Sequence, residues 1–296
     1  SGPVDRDHLN LLEAAIVAVR NELSEADGFN RLVLQAGLSW PQISVLRAYA
    51  KYMRQIGSPF APESIEDALH RNTGVARLLV AGFAAKFDPA VPAGERLARV
   101  DEAMSRLSDA IDVVDSLDHD RILRSYATMI EATDRTNHFK EQPGSAGGCL
   151  ARKLRPTAIP DTPAPRPRFE VFVHSPRVEG VHMRFGPIAR GGLRWSDRRD
   201  DFRTEVLGLA KAQMVKNSLI VPVGAKGGFF CKKIPDAAPH AAAVAEATEC
   251  YKLFIAALLD ITDNANSEGA ASHPARVVCH DSADPYLVVA ADKGTA

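Results

Sequence analysis

The stretch GPIARGGLRWSDRRDDFRTEVLGLAKAQMVKNSLIVPVGAKGG, residues 186–228, decides how the rest of the chain is read. It predicts a glycine turn, a charged loop, a helix over 200–217, a short β-branched strand at 219–223 and a second glycine turn. Three cations sit at telling places: Arg190 before Gly191-Gly192, Lys216 near the helix end, and Lys226 inside the GAKGG turn. Glycine beside a cation lets backbone approach a bound group closely while the charge reaches it. That spacing points to a pocket for a small dianionic molecule.

On a helical wheel Phe202, Val206, Leu209, Gln213 and Lys216 fall within about 80° of one another. Lys216 therefore shares a stripe with core residues. A lone lysine there reads as a stem lying on apolar surface with its amine reaching water at the helix end. Gln213, one turn earlier, argues against that reading, because two polar tips on an apolar face call for a common polar partner.

Lys226 follows the β-branched run, where groups at carboxyl ends of strands line the ligand crevice of an α/β sheet. Asp292 ends a second apolar run, 286–291, in the same relative position. If the two strands are parallel neighbours, Lys226 and Asp292 face one crevice, a lysine and a carboxyl fit to move a proton. Taken alone, the pair reads equally well as a structural ion pair.

Other motifs carry less. GAKGG lacks the GxxxxGK spacing and the following Ser/Thr of a phosphate-binding loop. His280, Asp281 and Asp284 have metal-ligand chemistry, but in a strand-end turn they read as a capped turn, and no metal is expected. The charges from Arg194 to Glu205 read as a solvated loop with Asp200 and Asp201 in the first helical turn.

Upstream, residues 4–138 have helical periodicity, with Leu9, Leu12, Ile16 and Val19 on one face and Ile43, Leu46, Tyr49 and Met53 on another. Ser39 before Trp40-Pro41 is an N-cap signal. A seam from Leu97 to Val114, interrupted at Asp118-His119-Asp120 and resumed at Ile122, predicts a helical hairpin. It lasts under three heptads, which favours an internal bundle over a partner-binding coiled coil. Residues 139–168 are rich in glycine, then in proline and arginine, and read as a connector. Alternation at 169–174 and 181–185 predicts a hairpin, a helix is expected over 241–261, and short strands at 277–279 and 286–291. The fold class is therefore α+β to α/β: an N-terminal helical bundle (4–138), the connector (139–168), and an α/β domain (169–296) with a mixed, partly parallel sheet.

At 296 residues, 46% hydrophobic and 25% charged, the chain can bury one large core or two medium ones. A formal net charge of −1 gives no electrostatic reason to expect nucleic acid or an anionic membrane as partner. No apolar run is long enough to span a bilayer. Four scattered cysteines without a CxxC pair read as reduced thiols of a cytoplasmic protein. The opening Ser-Gly-Pro, without methionine, reads as the start of an internal fragment.

The block from Ala189 to Phe230, with EGVHMRFGP (179–187) before it and DPYLVVAADKGTA (284–296) at the end, resembles the large bacterial NAD-specific glutamate dehydrogenases. It resembles the substrate domain of the smaller glutamate dehydrogenases more loosely. The likeness is carried by 169–296, while 4–138 is compatible with the family's helical region. The resemblance implies oxidative deamination of L-glutamate to 2-oxoglutarate and ammonium, with NAD as cofactor and a homo-oligomeric whole protein. Position by position, it implies that Lys226 is the catalytic lysine that activates water or ammonia, and Asp292 a proton shuttle. It makes Lys216 the holder of the substrate α-carboxylate, assisted by Gln213. Arg190 stands before Gly191 and Gly192 where the smaller enzymes have a lysine on the γ-carboxylate. Arginine holds a carboxylate bidentately, but its longer fork changes the geometry.

No G-x-G-x-x-G turn occurs in the 296 residues, so the resemblance implies that NAD is bound mainly by a domain beyond this chain. The chain alone is then expected to be inactive. The alternative from another class is a non-catalytic module that binds an acidic metabolite, or an assembly module built on the helices.

Overall fold

The computed structural model describes residues 6–140, 149–187, 189–216, 224–235, 237–265 and 270–291, with 214–216 described by backbone alone. The chain divides into two compact units, the first drawn mainly from residues up to 131, the second from 132 onward together with 55–57.

The first unit is helical: α1 Arg6–Arg20, α2 Leu32–Ala36, α3 Trp40–Gln55, α4 Pro62–Arg71, α5 Thr73–Phe87, α6 Ala93–Asp112 and α7 Leu117–Glu131. The start of α3 follows the sequence signal, since the Ser39 amide donates to Gln42 Oε1 at 2.9 Å, half of a capping box. Its core is aromatic. Tyr49 packs edge-on against Phe83 and Tyr126, with centroids 6.3 and 6.5 Å apart, and the Tyr126 hydroxyl donates to Leu46 O. Lys86 Nζ donates to the carbonyls of Ile130 and Glu131, satisfying orphan acceptors at the end of α7. The expected hairpin of α6 and α7 is present, but its break lies at 113–116. Asp118 and Asp120 fall in the first turn of α7, where negative charge suits the helix dipole.

The helices stop at Glu131, and the rest of the chain builds the second unit. Its strands are β1 Thr133–Thr136, β2 Leu150–Leu154, β3 Phe169–His174, β4 Val178–Arg184, β5 Gly191–Ser196, β6 Ala225–Cys231, β7 Asn264–Ala265, β8 Ala271–Ser272 and β9 Val289–Ala291. Helix α8, Phe202–Lys216, joins β5 to β6, and α9, His240–Asp260, follows β6. The main sheet has the order β1-β2-β3-β4-β6-β5-β9, and β7 pairs with β8 apart from it. Neighbours from β1 to β6 are antiparallel, whereas β5 runs parallel to both β6 and β9, so the sheet is mixed as expected.

The two helices lie on opposite faces of this sheet. Phe229 of β6 packs on Tyr251 and Phe254 of α9, and a Cβ on Gly180 would strike Phe254. On the other face a Cβ on Gly228 would lie 2.5 Å from Val206 of α8, and Glu170 of β3 reaches Arg203 of α8. Alternation along each strand then assigns every residue to one helix or the other.

Several elements differ from the sequence expectation. GAKGG is not a turn: from Ala225 onward it lies inside β6, while 219–223, expected as the strand, falls outside the described residues. The glycines are there for close approach, since a Cβ on Gly227 would lie 2.3 Å from Leu193 Cδ2. Part of the proline-rich stretch read as a connector supplies β2, every residue of which is buried. Residues 133–136, read as helical, form β1. Neither strand carries the apolar alternation that marks a strand: Arg135 and Lys153 are buried through ion pairs, and Arg152 is buried against the Phe172 ring. Residues 277–279 form no strand, and only 289–291 of the run 286–291 pair, as β9.

Candidate active site

The glycine and cation motifs converge where β5, β6 and the end of α8 meet. The Ala225 amide donates to Arg190 O at 3.3 Å, and the Phe185 amide donates to Gly224 O at 3.2 Å. Residues on both sides of the turn at 186–190 thus clamp the entry to β6. Gly191 is pressed against that entry: a Cβ there would lie 1.6 Å from Ala225 O. Gln213 stands beside Gly224, whose Cβ would lie 2.8 Å from Gln213 Oε1, and that oxygen is buried without a hydrogen-bond partner among the described residues.

Gly224, Lys226 and Gly228 share the α8 face by alternation, with Gln213 at one end of the row and Val206 at the other. Lys226 is half-buried and opposite Met183 of β4, which is fully buried. Lys226 is the second residue of β6, and the run 219–223 that precedes it lies outside the described residues. Leu193 pairs with Gly227 on one side and with Ala291 on the other. Lys226 and the end of β9 thus flank β5 at the same level, two strand spacings or about 10 Å apart, rather than on adjacent strands.

The structure brings together Lys226, Gln213, Gly191, Gly192 and the backbone of Arg190, whose side chain is exposed. Lys216 ends α8 one turn past Gln213, and nothing beyond its backbone is described. Asp292 lies outside the described residues.

On the α9 face a buried ion-pair cluster was missed by sequence reading. Arg135 donates to both oxygens of Asp263, at 2.8 and 3.1 Å, and to Asp281 at 2.5 Å. Lys153 Nζ lies 2.6 Å from both Asp281 and Asp284, and Arg184 pairs with Asp284. Burial alone would raise Asp263 and Asp284, but the hydrogen bonds they accept outweigh it. Those bonds hold Asp284 below its ordinary range and Asp263 at about 2. His273 and Cys279 bring ligand atoms within 4.8 Å of those of Asp263, but Arg135 occupies both Asp263 oxygens and opposes a cation there. Asp281 and Asp284, read as a capped turn, bind side chains more than a hundred residues earlier, and short-range patterns hold no sign of that.

The family described as bacterial NAD-glutamate dehydrogenase, catalytic domain, matches residues 106–296, and glutamate dehydrogenase, helical motif 3, matches 24–89. The chain belongs to the bacterial NAD-glutamate dehydrogenases. It is 53% identical over 291 residues to the NAD-specific glutamate dehydrogenase of Mycobacterium tuberculosis, covering 95% of this chain and 18% of the relative. Identity to the NAD-specific glutamate dehydrogenase of Halomonas elongata is 50% over 274 residues, 92% of this chain and 17% of that protein. The corresponding enzyme of Pseudomonas aeruginosa is 50% identical over 297 residues, 99% of this chain and 18% of its own length. The chain thus spans less than a fifth of the glutamate dehydrogenases it matches. No described helix is long and apolar enough to cross a membrane.

Proposed function

We propose that this chain carries the substrate-binding part of an NAD-dependent glutamate dehydrogenase, which as a whole protein converts L-glutamate to 2-oxoglutarate and ammonium. The observation that carries the proposal is the convergence of Lys226, Gly191 and Gln213 on the entry to β6, within the segment matched by the catalytic-domain family.

In this reading Lys216 and Gln213 hold the α-carboxylate, and Arg190, with the bare backbone at Gly191 and Gly192, receives the γ-carboxylate. The amine of Lys226 orients and activates the water that attacks the imine carbon, and Asp292 moves the proton. Bound NAD would supply the hydride acceptor in the whole protein. Among the described residues there is no glycine-rich strand-to-helix turn that fits a dinucleotide phosphate, so NAD is assigned to parts of the protein beyond this chain. The whole protein is read as a cytoplasmic homo-oligomer, with the helices up to Glu131 as its helical part and the sheet unit, which takes in β1 and β2 as well as 169–291, as its substrate domain.

The rival reading is a non-catalytic module for acidic metabolites or for assembly. It uses the same cations but needs no NAD. Calorimetric titration separates the two. We expect no stoichiometric NAD binding and no NAD reduction by this chain alone, and both by the full-length protein with glutamate. Dicarboxylate binding without NAD reduction in the full-length protein would favour the module.

A further inference from the structure

Strand β9 is three residues long and, among the described residues, pairs with β5 alone. So short an edge strand does not fix its own register. The register matters, because a slip of one residue moves every side chain to the other face. Ala290 stands level with Gly192, which places it on the α8 face with Lys226. A slip would turn Ala290 to the α9 face and its neighbours Val289 and Ala291 to the α8 face.

The approach to β9 has no regular structure of its own, since 277–288 form neither helix nor strand. It is nonetheless tied down at His280, Asp281, Ser282, Asp284 and Tyr286. The His280 amide donates to Asp134 O at 3.0 Å. Asp281 is held by Arg135 and Lys153, and Arg135 also donates to Ser282 O at 2.9 Å. The Asp284 amide donates to Asp263 Oδ2 at 2.5 Å, while the Asp284 carboxylate takes Lys153 and Arg184. Arg184 then donates to Tyr286 O at 2.5 Å, three residues before β9. The three cations come from β1, β2 and β4, the strands that form the rigid antiparallel part of the sheet. Lys153 and Arg184 also sit against the Phe169 ring, 4.5 and 4.7 Å from its centroid, which fixes their stems. The charges balance three to three, and their side chains are buried or nearly so. Such a cluster adds little net stability compared with an apolar core, and fixing one register is its best-attested use.

We infer that Arg135, Lys153 and Arg184, with Asp263, Asp281 and Asp284, form a positioning device that sets β9 in register against β5. It thereby fixes which face of the sheet Ala290 presents beside Lys226. This rests on the catalytic reading of Lys226 and Asp292 given above.

The test uses the full-length protein with Lys153→Met or Asp284→Asn, and Lys153→Arg as the conservative control. Hydrogen exchange is followed on peptides covering 286–291, 169–174 and 178–184. We expect exchange at 286–291 to rise by about tenfold or more in the first two variants, with the other two segments unchanged and Lys153→Arg close to wild type. Unchanged exchange at 286–291 would overturn the inference, and so would an equal rise in all three segments, which marks general destabilisation. In the same proteins kcat is expected to fall by about tenfold or more while KM for glutamate stays within about threefold, because the carboxylate-binding groups lie elsewhere. Faster exchange at 286–291 with kcat unchanged would support the positioning role and count against Asp292 as the proton shuttle.

Discussion

Gly191 and Ala225 approach so closely that no side chain fits between them, a Cβ on the glycine coming 1.6 Å from the alanine carbonyl oxygen. The neighbour is backbone at the start of β6, so it cannot swing aside. This contact is what brings the Arg190 turn onto the strand that carries Lys226.

Gly191→Ala should therefore destabilise the protein by roughly 1–3 kcal/mol. Gly208→Ala is the control, since Gly208 lies mid-helix and exposed in α8 with nothing within 4 Å of its would-be Cβ. That change should stabilise by about 0.5–1 kcal/mol through helix propensity. Urea midpoints of the two variants should shift in opposite directions, and a shared direction would rule out the close approach.

The second contact that seats α8 is ionic. Arg203 and Glu170 pair at 2.7 and 2.8 Å, with both side chains fully buried. Removing one partner leaves the other charge buried without its counter-ion, so Glu170→Ala should cost about 3–5 kcal/mol. Glu170→Leu combined with Arg203→Met should recover most of that loss. A double-mutant cycle in denaturant measures it, and additive single costs would show that the pair is not coupled.

His182 makes stability depend on pH. Burial first, and then the charge of Arg184, push its imidazole from 6.5 down to about 4. Between those values the unfolded chain binds a proton that the folded chain refuses. Stability is thus fully present above about pH 6.5 and is lost as pH falls toward 4, by on the order of 3 kcal/mol. His182→Gln, which cannot titrate, should flatten that slope relative to wild type. Equal slopes in the two proteins from acid titration of the unfolding free energy would show that the imidazole is not held neutral.

Much of this was legible in the sequence, and the losses have physical causes. The β3–β4 hairpin, expected at 169–174 and 181–185, and α9, expected over 241–261, are present within one residue at most boundaries. Gly224 to Gly228 read as a turn because glycine usually frees backbone. Here it makes room for Gln213, Leu193 and Val206, and only the packed sheet reveals that. β1 and β2 were invisible because Arg135, Arg152 and Lys153 are buried by long-range partners, which a local pattern scores as surface. At the site, the order of Arg190, Gly191, Gln213 and Lys226 in the sequence pointed to groups that meet at the entry to β6. The strand order did not follow, because nothing local says that β5 inserts between β6 and β9.

The central claim is that Lys226 does chemistry rather than holding an anion in place. The most direct measurement is steady-state glutamate-dependent NAD reduction by the full-length protein and its Lys226→Ala variant, with Lys216→Ala alongside. We predict that Lys226→Ala lowers kcat by about 100-fold or more with only a few-fold change in KM, and that Lys216→Ala mainly raises KM for glutamate. A Lys226→Ala enzyme that kept most of its turnover across about pH 6–9 would contradict the account.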